Sequence, residues 1–270
     1  MKRFRDKIVI VTGAASGIGA ATAERFASEG ANLALADLNE DGLRQMADTL
    51  APSGSQVLVQ RTDVADCAAV ERLVEATVAR FGRLDILISN AGMPSFGHVT
   101  EITPDHWRKV MAVDLDSVFF AARAAIPHLV KTKGCIVNTA SISGLFGDYG
   151  LVAYNTAKAG VANMTRNLAI DHAPDGIRIN AVCPGPIATG MTARIFADQA
   201  VMEEYRKVVP MARVGQPGEV AAAIAFLASE DASFITGVNL VVDGGVTAAT
   251  GQPDFYRIYR ERMAKRRPSQ

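Results

Sequence analysis

The sequence predicts a doubly wound α/β fold, a three-layer sandwich with helices on both faces of a seven-stranded parallel sheet. Three observations carry that prediction. Strand-like and helix-like segments alternate along the chain. The strand candidates are continuous apolar runs, as expected of strands buried on both faces. No composition shift, internal repeat or low-complexity stretch marks a boundary, so residues 1–250 read as one domain and 251–270 as a C-terminal extension.

The elements follow in order. K-I-V-I-V-T at 7–12 is the first strand, and the helix at 18–29 ends before Gly30, a residue suited to a left-handed cap. A second strand spans 32–37, a helix runs near 40–50, and a third strand covers 56–61. A helix at 67–81 leads to a fourth strand at 84–89. One long helix is expected over 104–130, then a strand at 134–140 and a helix at 153–172. The last two strands lie at 178–184 and 239–243, with a helix at 217–229 between them. Residues 185–215 read as loop-like with weak helical patches, rich in Pro, Gly, Met and Ala. They follow a strand end directly, where ligands bind in open α/β sheets, so a mobile lid over a substrate is expected.

Bulk properties narrow the function. The 270 residues suit a single α/β domain, and 28 basic residues balance 28 acidic ones. No global field draws the chain to nucleic acid or to an anionic membrane. The first apolar run is too short for a membrane span or a signal core, so a cytoplasmic protein is expected. Cys67, Cys135 and Cys183 are too few and too far apart for a disulfide scaffold, and the last two lie in apolar runs that suit buried thiols. His98, His106, His128 and His172 lack metal-ligand spacing, and no catalytic metal is expected.

The first strand runs into T-G-A-A-S-G-I-G at 12–19. Gly13, Gly17 and Gly19 let the backbone of a strand-to-helix turn approach a pyrophosphate, and the helix N-terminus offers N–H groups and a positive dipole end. Ser16 and Ile18 complete this expected cradle, that of a Rossmann-type dinucleotide-binding domain. The second strand ends on Asp37, with Leu38 beside it. A carboxylate there can accept ribose hydroxyls and repels a 2′-phosphate, and neither Leu38 nor Asn39 supplies a cation to neutralise one. The expected cofactor is NAD(H) rather than its phosphorylated form.

The chemistry centres on Y-N-T-A-K, Tyr154 to Lys158, at the start of a predicted helix, where positions four apart share one face. A phenol ordinarily titrates near ~10. A neighbouring ammonium favours the phenolate and makes tyrosine a usable acid/base nearer neutrality. Ser141 sits just past the strand at 134–140, where its hydroxyl can bond a substrate oxygen. Taken singly, these residues also suit plainer roles: a Tyr–Lys pair on a helix surface, a serine in a turn.

Together the motifs resemble the short-chain dehydrogenase/reductase family. The resemblance rests on T-G-x-x-x-G-x-G at Thr12–Gly19, N-A-G at Asn90–Gly92, S-x(12)-Y-x-x-x-K at Ser141, Tyr154 and Lys158, and P-G at Pro184–Gly185, in order over about residues 5–250. It implies that Tyr154 passes the proton, that Lys158 binds the nicotinamide ribose and favours the phenolate, and that Ser141 orients the substrate oxygen. It implies further that Asp63 and Val64 lie by the adenine and that Asn90, Ala91 and Gly92 line the cofactor path. Pro184, Gly185, Ile187 and Thr189 would hold the nicotinamide end. Members are commonly tetramers, so a homotetramer is expected. Asp114, in V-D-L-D-S-V-F, departs from the pattern, which usually has asparagine there. An ionised Asp accepts hydrogen bonds and donates none. It is expected to take part through its backbone carbonyl, leaving activity intact and shifting its pH optimum.

The substrate is less marked. Ser143, Leu145, Phe146 and Tyr149 lie between Ser141 and Tyr154, and Ser143 and Phe146 are expected to touch a small, mostly apolar substrate. Gly190, Met191, Arg194 and Ile195 would close over it. The runs at 128–144 and 231–253 resemble the branch of the family that interconverts 2,3-butanediol and acetoin with NAD. A sugar, polyol, cyclic alcohol or 3-hydroxyacyl substrate stays open, as does a regulatory protein that senses NAD without turnover. The intact Ser141, Tyr154 and Lys158 favour the enzyme. Trp107, Val110, Phe119 and Phe120 suit either core packing or a subunit contact. In the tail, Phe255, Tyr259 and Met263 recur every fourth residue, giving a helix with one apolar face expected to dock on a neighbouring subunit, with Gln252 reaching a partner's site.

Overall fold

The computed structural model describes residues 2–265. Its strands are β1 (Ile8–Thr12), β2 (Asn32–Asp37), β3 (Val57–Arg61), β4 (Ile86–Ser89), β5 (Cys135–Thr139), β6 (Arg178–Pro184) and β7 (Asn239–Val242). They form one sheet in the order β3-β2-β1-β4-β5-β6-β7, every pair parallel. The chain moves outward from β1 to β3, then returns to the other side of β1 with β4. The crevice beyond the ends of β1 and β4 is therefore the switch point at which such sheets bind ligands.

Alternation along each strand fills both faces. Val9, Val11, Leu33 and Leu35 pack under Phe26 of α1 (Gly17–Ser28), Leu43 of α2 (Glu40–Leu50) and Ile224 of α9 (Pro217–Ala228). Ile10, Ala34 and Ala36 point the other way, toward Leu73 of α3 (Cys67–Phe81), Leu129 of α5 (Ser117–Thr132) and Ala169 of α6 (Val152–His172). All these residues are buried. Each large apolar side chain so placed favours the fold by about 1.5–3 kcal/mol. Helix starts follow local chemistry. Asn39 accepts the Gly42 N–H ahead of α2, and Asp66 accepts that of Ala68 ahead of α3. Gly30 takes φ +96° just past α1, the left-handed turn that glycine adopts freely.

The helical stretch expected over 104–130 runs without interruption from Pro104 to Thr132, with one wider turn inside it. α4 (Pro104–Met111) gives way to a π-helical turn at Ala112–Asp116 before α5 begins. Asp114 points inward from this turn, and its carboxylate accepts the Met93 N–H at 3.2 Å and faces Lys158. Apolar spacing is continuous through this point, so periodicity does not reveal the wider turn. Of the apolar residues there, Val110 is buried, Trp107 and Phe120 pack partly against the cores, and Phe119 remains half exposed.

The weak helical patches expected in 185–215 are two helices, α7 (Ala193–Phe196) and α8 (Gln199–Val208). Asp198 caps α8 by accepting the Ala200 N–H. α8 buries no residue fully, and its half-buried Val201, Met202 and Tyr205 share one face. Phe196 meets Tyr205 edge to face at 5.3 Å and ties the two together. In the extension, α10 (Phe255–Lys265) is helical as its spacing predicts, and residues 266–270 lie outside the described residues. Among the described residues no helix is long and apolar enough to cross a membrane.

Candidate active site

A cleft of about 350 Å³ opens at the C-terminal edge of the sheet, over the switch point. Its floor is built from strand ends. Thr12 closes β1, and its hydroxyl accepts the backbone N–H groups of Asn90 and Ala91 at 2.9 and 3.1 Å. The Asn90 amide donates to Thr12 O at 3.1 Å and accepts from the Thr139 hydroxyl at 3.3 Å. One polar network thus holds the ends of β1, β4 and β5 together, and its carbonyls and N–H groups are satisfied without water.

The glycine turn forms one wall. Gly13 has φ +68°, and a Cβ there would lie 2.9 Å from Ala91 Cα. Gly19 is tighter still: a Cβ would sit 2.0 Å from Gly13 O. Gly13, Ser16, Gly17 and Ile18 line the cleft, while Gly19 lies beneath them as the packing point of the turn. Ser16, the N-cap of α1, makes no side-chain capping bond, which leaves the first N–H groups of the helix directed at the cleft. At the far end Asp37 accepts the Ala15 N–H at 3.2 Å and the Asn39 N–H at 3.0 Å, with Leu38 exposed beside it.

The other end holds Ser141, Tyr154 and Lys158, which share this cleft with Asp114, Gly92, Pro184, Gly185, Ile187 and Thr189. Ser141 is buried in extended backbone just past β5, and its Oγ accepts the Ser143 N–H at 3.2 Å. Tyr154 and Lys158 lie one turn apart on α6, with Lys158 Nζ 5.6 Å from the centre of the phenol ring. The ammonium is buried, donates to Thr139 O at 3.1 Å and sits 3.4 Å from Asp114 Oδ1. Burial works against its charge, but Asp114 and Tyr154 outweigh it and hold the ammonium above its ordinary range. Burial pushes the Asp114 carboxyl up, against the opposing pull of Lys158. Cys183 lies next to this group, and burial pushes its thiol up to about 11, which leaves it uncharged.

The chain has counterparts among known proteins. A family model described as enoyl-(acyl carrier protein) reductase matches residues 13–247. The meso-2,3-butanediol dehydrogenase of Serratia marcescens is 47% identical over 251 residues, which cover 93% of this chain and 98% of that enzyme. The chain belongs to the short-chain dehydrogenase/reductase family. Dehydrogenases of this family use nicotinamide cofactors, and this member is an oxidoreductase. The cis-4-hydroxycyclohexanecarboxylate dehydrogenase of Sinomonas cyclohexanicum is 43% identical, covering 91% of this chain and 98% of that one. The crystal structure of levodione reductase superposes with a TM-score of 0.88 at 38% identity, over 92% of this chain and all of that one.

Within this family member, not every expected residue reaches the cleft. Val64, Asn90 and Ala91 line it, but Asp63 is exposed and spends its carboxylate on the Ala65 N–H at 3.0 Å. Thr62, buried beside it, lines the cleft instead. Ser143 is buried and bonds Asp148, and Phe146 is largely exposed; neither lines the cleft. Val113, Thr139, Ala140 and Thr192 line it without having been signalled. Thr139 and Ala140 could have been found from their place between a strand end and Ser141. A larger hollow of about 520 Å³ lies at the opposite edge of the sheet, among Arg3, Lys7, Asp85 and Arg178, away from every acid/base residue described.

The glycine turn yields a direct test. Gly19→Ala must force the turn apart, so NADH binding, followed by nicotinamide fluorescence, is expected to weaken by at least about tenfold, a cost near 1.4 kcal/mol. Unchanged affinity would show that the turn does not hold the cofactor.

Proposed function

We propose that this protein is an NAD(H)-dependent dehydrogenase/reductase that interconverts a small secondary alcohol or vicinal diol with its ketone or hydroxyketone, 2,3-butanediol and acetoin being the leading pair. The observation that carries this reading is the convergence of Ser141, Tyr154 and Lys158 at one end of the cleft whose other end is Asp37. The identity to a butanediol dehydrogenase supports the substrate class.

The cleft fits a nicotinamide dinucleotide. The side-chain-free turn at Gly13 and the uncapped start of α1 suit a pyrophosphate. Asp37 makes two backbone contacts, and a carboxylate accepts roughly four hydrogen bonds, so it retains capacity for ribose hydroxyls. Pro184, Gly185, Ile187 and Thr189 would hold the nicotinamide end, and Lys158 its ribose. Bound there, the nicotinamide supplies or accepts the hydride. Ser141 holds the substrate oxygen by its hydroxyl. Tyr154 gives that oxygen a proton in reduction and takes one in oxidation. Lys158 holds its positive charge 5.6 Å from the centre of the phenol ring.

Residues 1–250 then form the dinucleotide-binding and catalytic domain, and 251–270 an extension. We propose a homotetramer. Phe119, Val130 and Ile170 expose apolar surface on α5 and α6, and Phe226 and Phe234 do so around α9. The apolar face of α10, with Phe255, Tyr259 and Met263 exposed, docks on a neighbouring subunit in this reading. The three thiols are free, which suits the reducing cytoplasm. No nucleic-acid or membrane partner is proposed.

In an NADH absorbance assay with acetoin, the butanediol stereoisomers, polyols, cyclohexanol and 3-hydroxyacyl substrates, kcat/KM is highest for acetoin or butanediol. Tyr154→Phe lowers it by roughly 10²–10⁴-fold. Preference for cyclohexanol would point instead to the cyclic alcohols of the Sinomonas relative, and binding of NAD without turnover to a sensor. For Asp37→Ser, the kcat/KM ratio of NADPH to NADH rises by roughly tenfold or more, because the repelling carboxylate is gone while its register partner Arg61 stays. An unmoved ratio would remove Asp37 from cofactor selection. Light scattering gives a tetramer for the full chain, and deletion of 252–270 raises KM or loosens assembly. If neither changes, the extension plays no part in subunit contact.

A further inference from the structure

Asp114 occupies the middle of the π-helical turn and is 1% exposed. Its Oδ1 lies 3.4 Å from Lys158 Nζ, and both side chains are sealed from solvent. The carboxylate also accepts the Met93 N–H at 3.2 Å. Room for it comes from Gly92, where a Cβ would stand 2.6 Å from Asp114 Oδ1 and 3.4 Å from Lys158 Nζ. The backbone, the glycine and the wide turn all serve to bring a negative charge against the buried ammonium.

The surroundings contain little else that is charged. From α6 come Tyr154 and Lys158 themselves. From the end of β5 come the Thr139 carbonyl, which accepts from the ammonium, and the neutral hydroxyl of Ser141. From β6 comes Cys183, uncharged as described. From the segment after β4 come Gly92 and the Met93 N–H. Among these, Asp114 is the group that can answer the charge of Lys158. A buried cation stripped of its counter-charge is costly, and the pair therefore stays ionised together.

The consequence falls on the phenol. Lys158 loosens the phenolic proton through its positive charge, and a carboxylate 3.4 Å from that charge cancels part of its field. Building on the acid/base role proposed for Tyr154, we propose that Asp114 is a positioning residue that holds and tempers the charge of Lys158 and so sets the pH range over which Tyr154 passes its proton in each direction. In reduction the carbonyl carbon gains a hydride from the reduced nicotinamide and its oxygen gains the Tyr154 proton. The phenolate left behind is reprotonated from water. Oxidation is the reverse, and requires the phenolate to take the alcohol proton as the hydride leaves for the oxidised nicotinamide. Both directions have the same equilibrium constant with or without Asp114. What changes is the pH range in which each protonation state of the phenol is populated.

Asp114→Asn is the test, since the amide keeps an acceptor for the Met93 N–H and removes the charge. Profiles of kcat/KM are measured from pH ~5 to ~11 in both directions. The midpoint of the rise in oxidation and that of the fall in reduction are both expected to move to lower pH by about one unit. Asp114→Ser gives the same shift should the amide pack poorly. Midpoints that stay in place, whether or not the rate drops, overturn the proposal and leave Asp114 a structural role only. The phenolate is also titrated by its ultraviolet absorbance in the absence of substrate, with the Tyr154→Phe chain as blank. If no alcohol or ketone is turned over, the proposed substrate class fails while this titration still reads the proton. A shift there upholds the role of Asp114, and none overturns it.

Discussion

A buried ammonium sets the terms for the rest of this site. Lys158 carries its charge into the interior between α6 and the end of β5, where water does not solvate it. Such a charge persists only with partners, and here they are the Thr139 carbonyl and the Asp114 carboxylate. Each partner demands something of the chain around it. The carbonyl is available because β5 ends there and makes no further ladder bond. The carboxylate arrives because the helix widens by a turn. The close approach of α6 depends on Gly144, where a Cβ would lie 2.5 Å from the Lys158 backbone. The glycine following Ser141 is thus part of the same arrangement as the lysine, though it touches no substrate.

The sheet supplies the second constraint. Seven parallel strands end at one edge, and the first and fourth lie side by side there with their connections leaving in opposite directions. The Thr12, Asn90 and Thr139 side chains tie three of those ends together. The network explains why the motifs that read as separate signals along the chain, T-G, N-A-G and the T-A-S run, are neighbours in space. The glycine turn and Asp37 lie to one side of it, the acid/base pair to the other.

Much of this could be read from the residues. Continuous apolar strands announced a parallel sheet because both their faces are covered, and the glycine-rich turn announced its binding end because a backbone without side chains has few other uses there. Other features left no such trace. The break at Asp114 preserves the apolar spacing of α4 and α5, so only the packed helix reveals it. Asp63 and Ser143 have the right place in the chain, yet their side chains are taken by the Ala65 N–H and by Asp148. Which atom a side chain satisfies first is a local competition, and residue order does not report its winner. α8 does carry a helical period, with Val201, Met202 and Tyr205 on one face, but the run is short and lies among the prolines and glycines of 184–190 and 210–218.

The widened turn at Ala112–Asp116 also decides which way the following helix faces. Each residue of an α-helix advances its neighbours by about 100° around the axis, and a π turn fits one more residue into nearly the same rotation. Were the same residues wound as a plain α-helix, everything beyond the turn would rotate by nearly that amount relative to α4. Val118, Ala121, Ala122, Ala125 and Leu129, which now face the sheet, would swing away from it while Val110 stayed in place. The wide turn thus aims some 20 Å of helix downstream at the core.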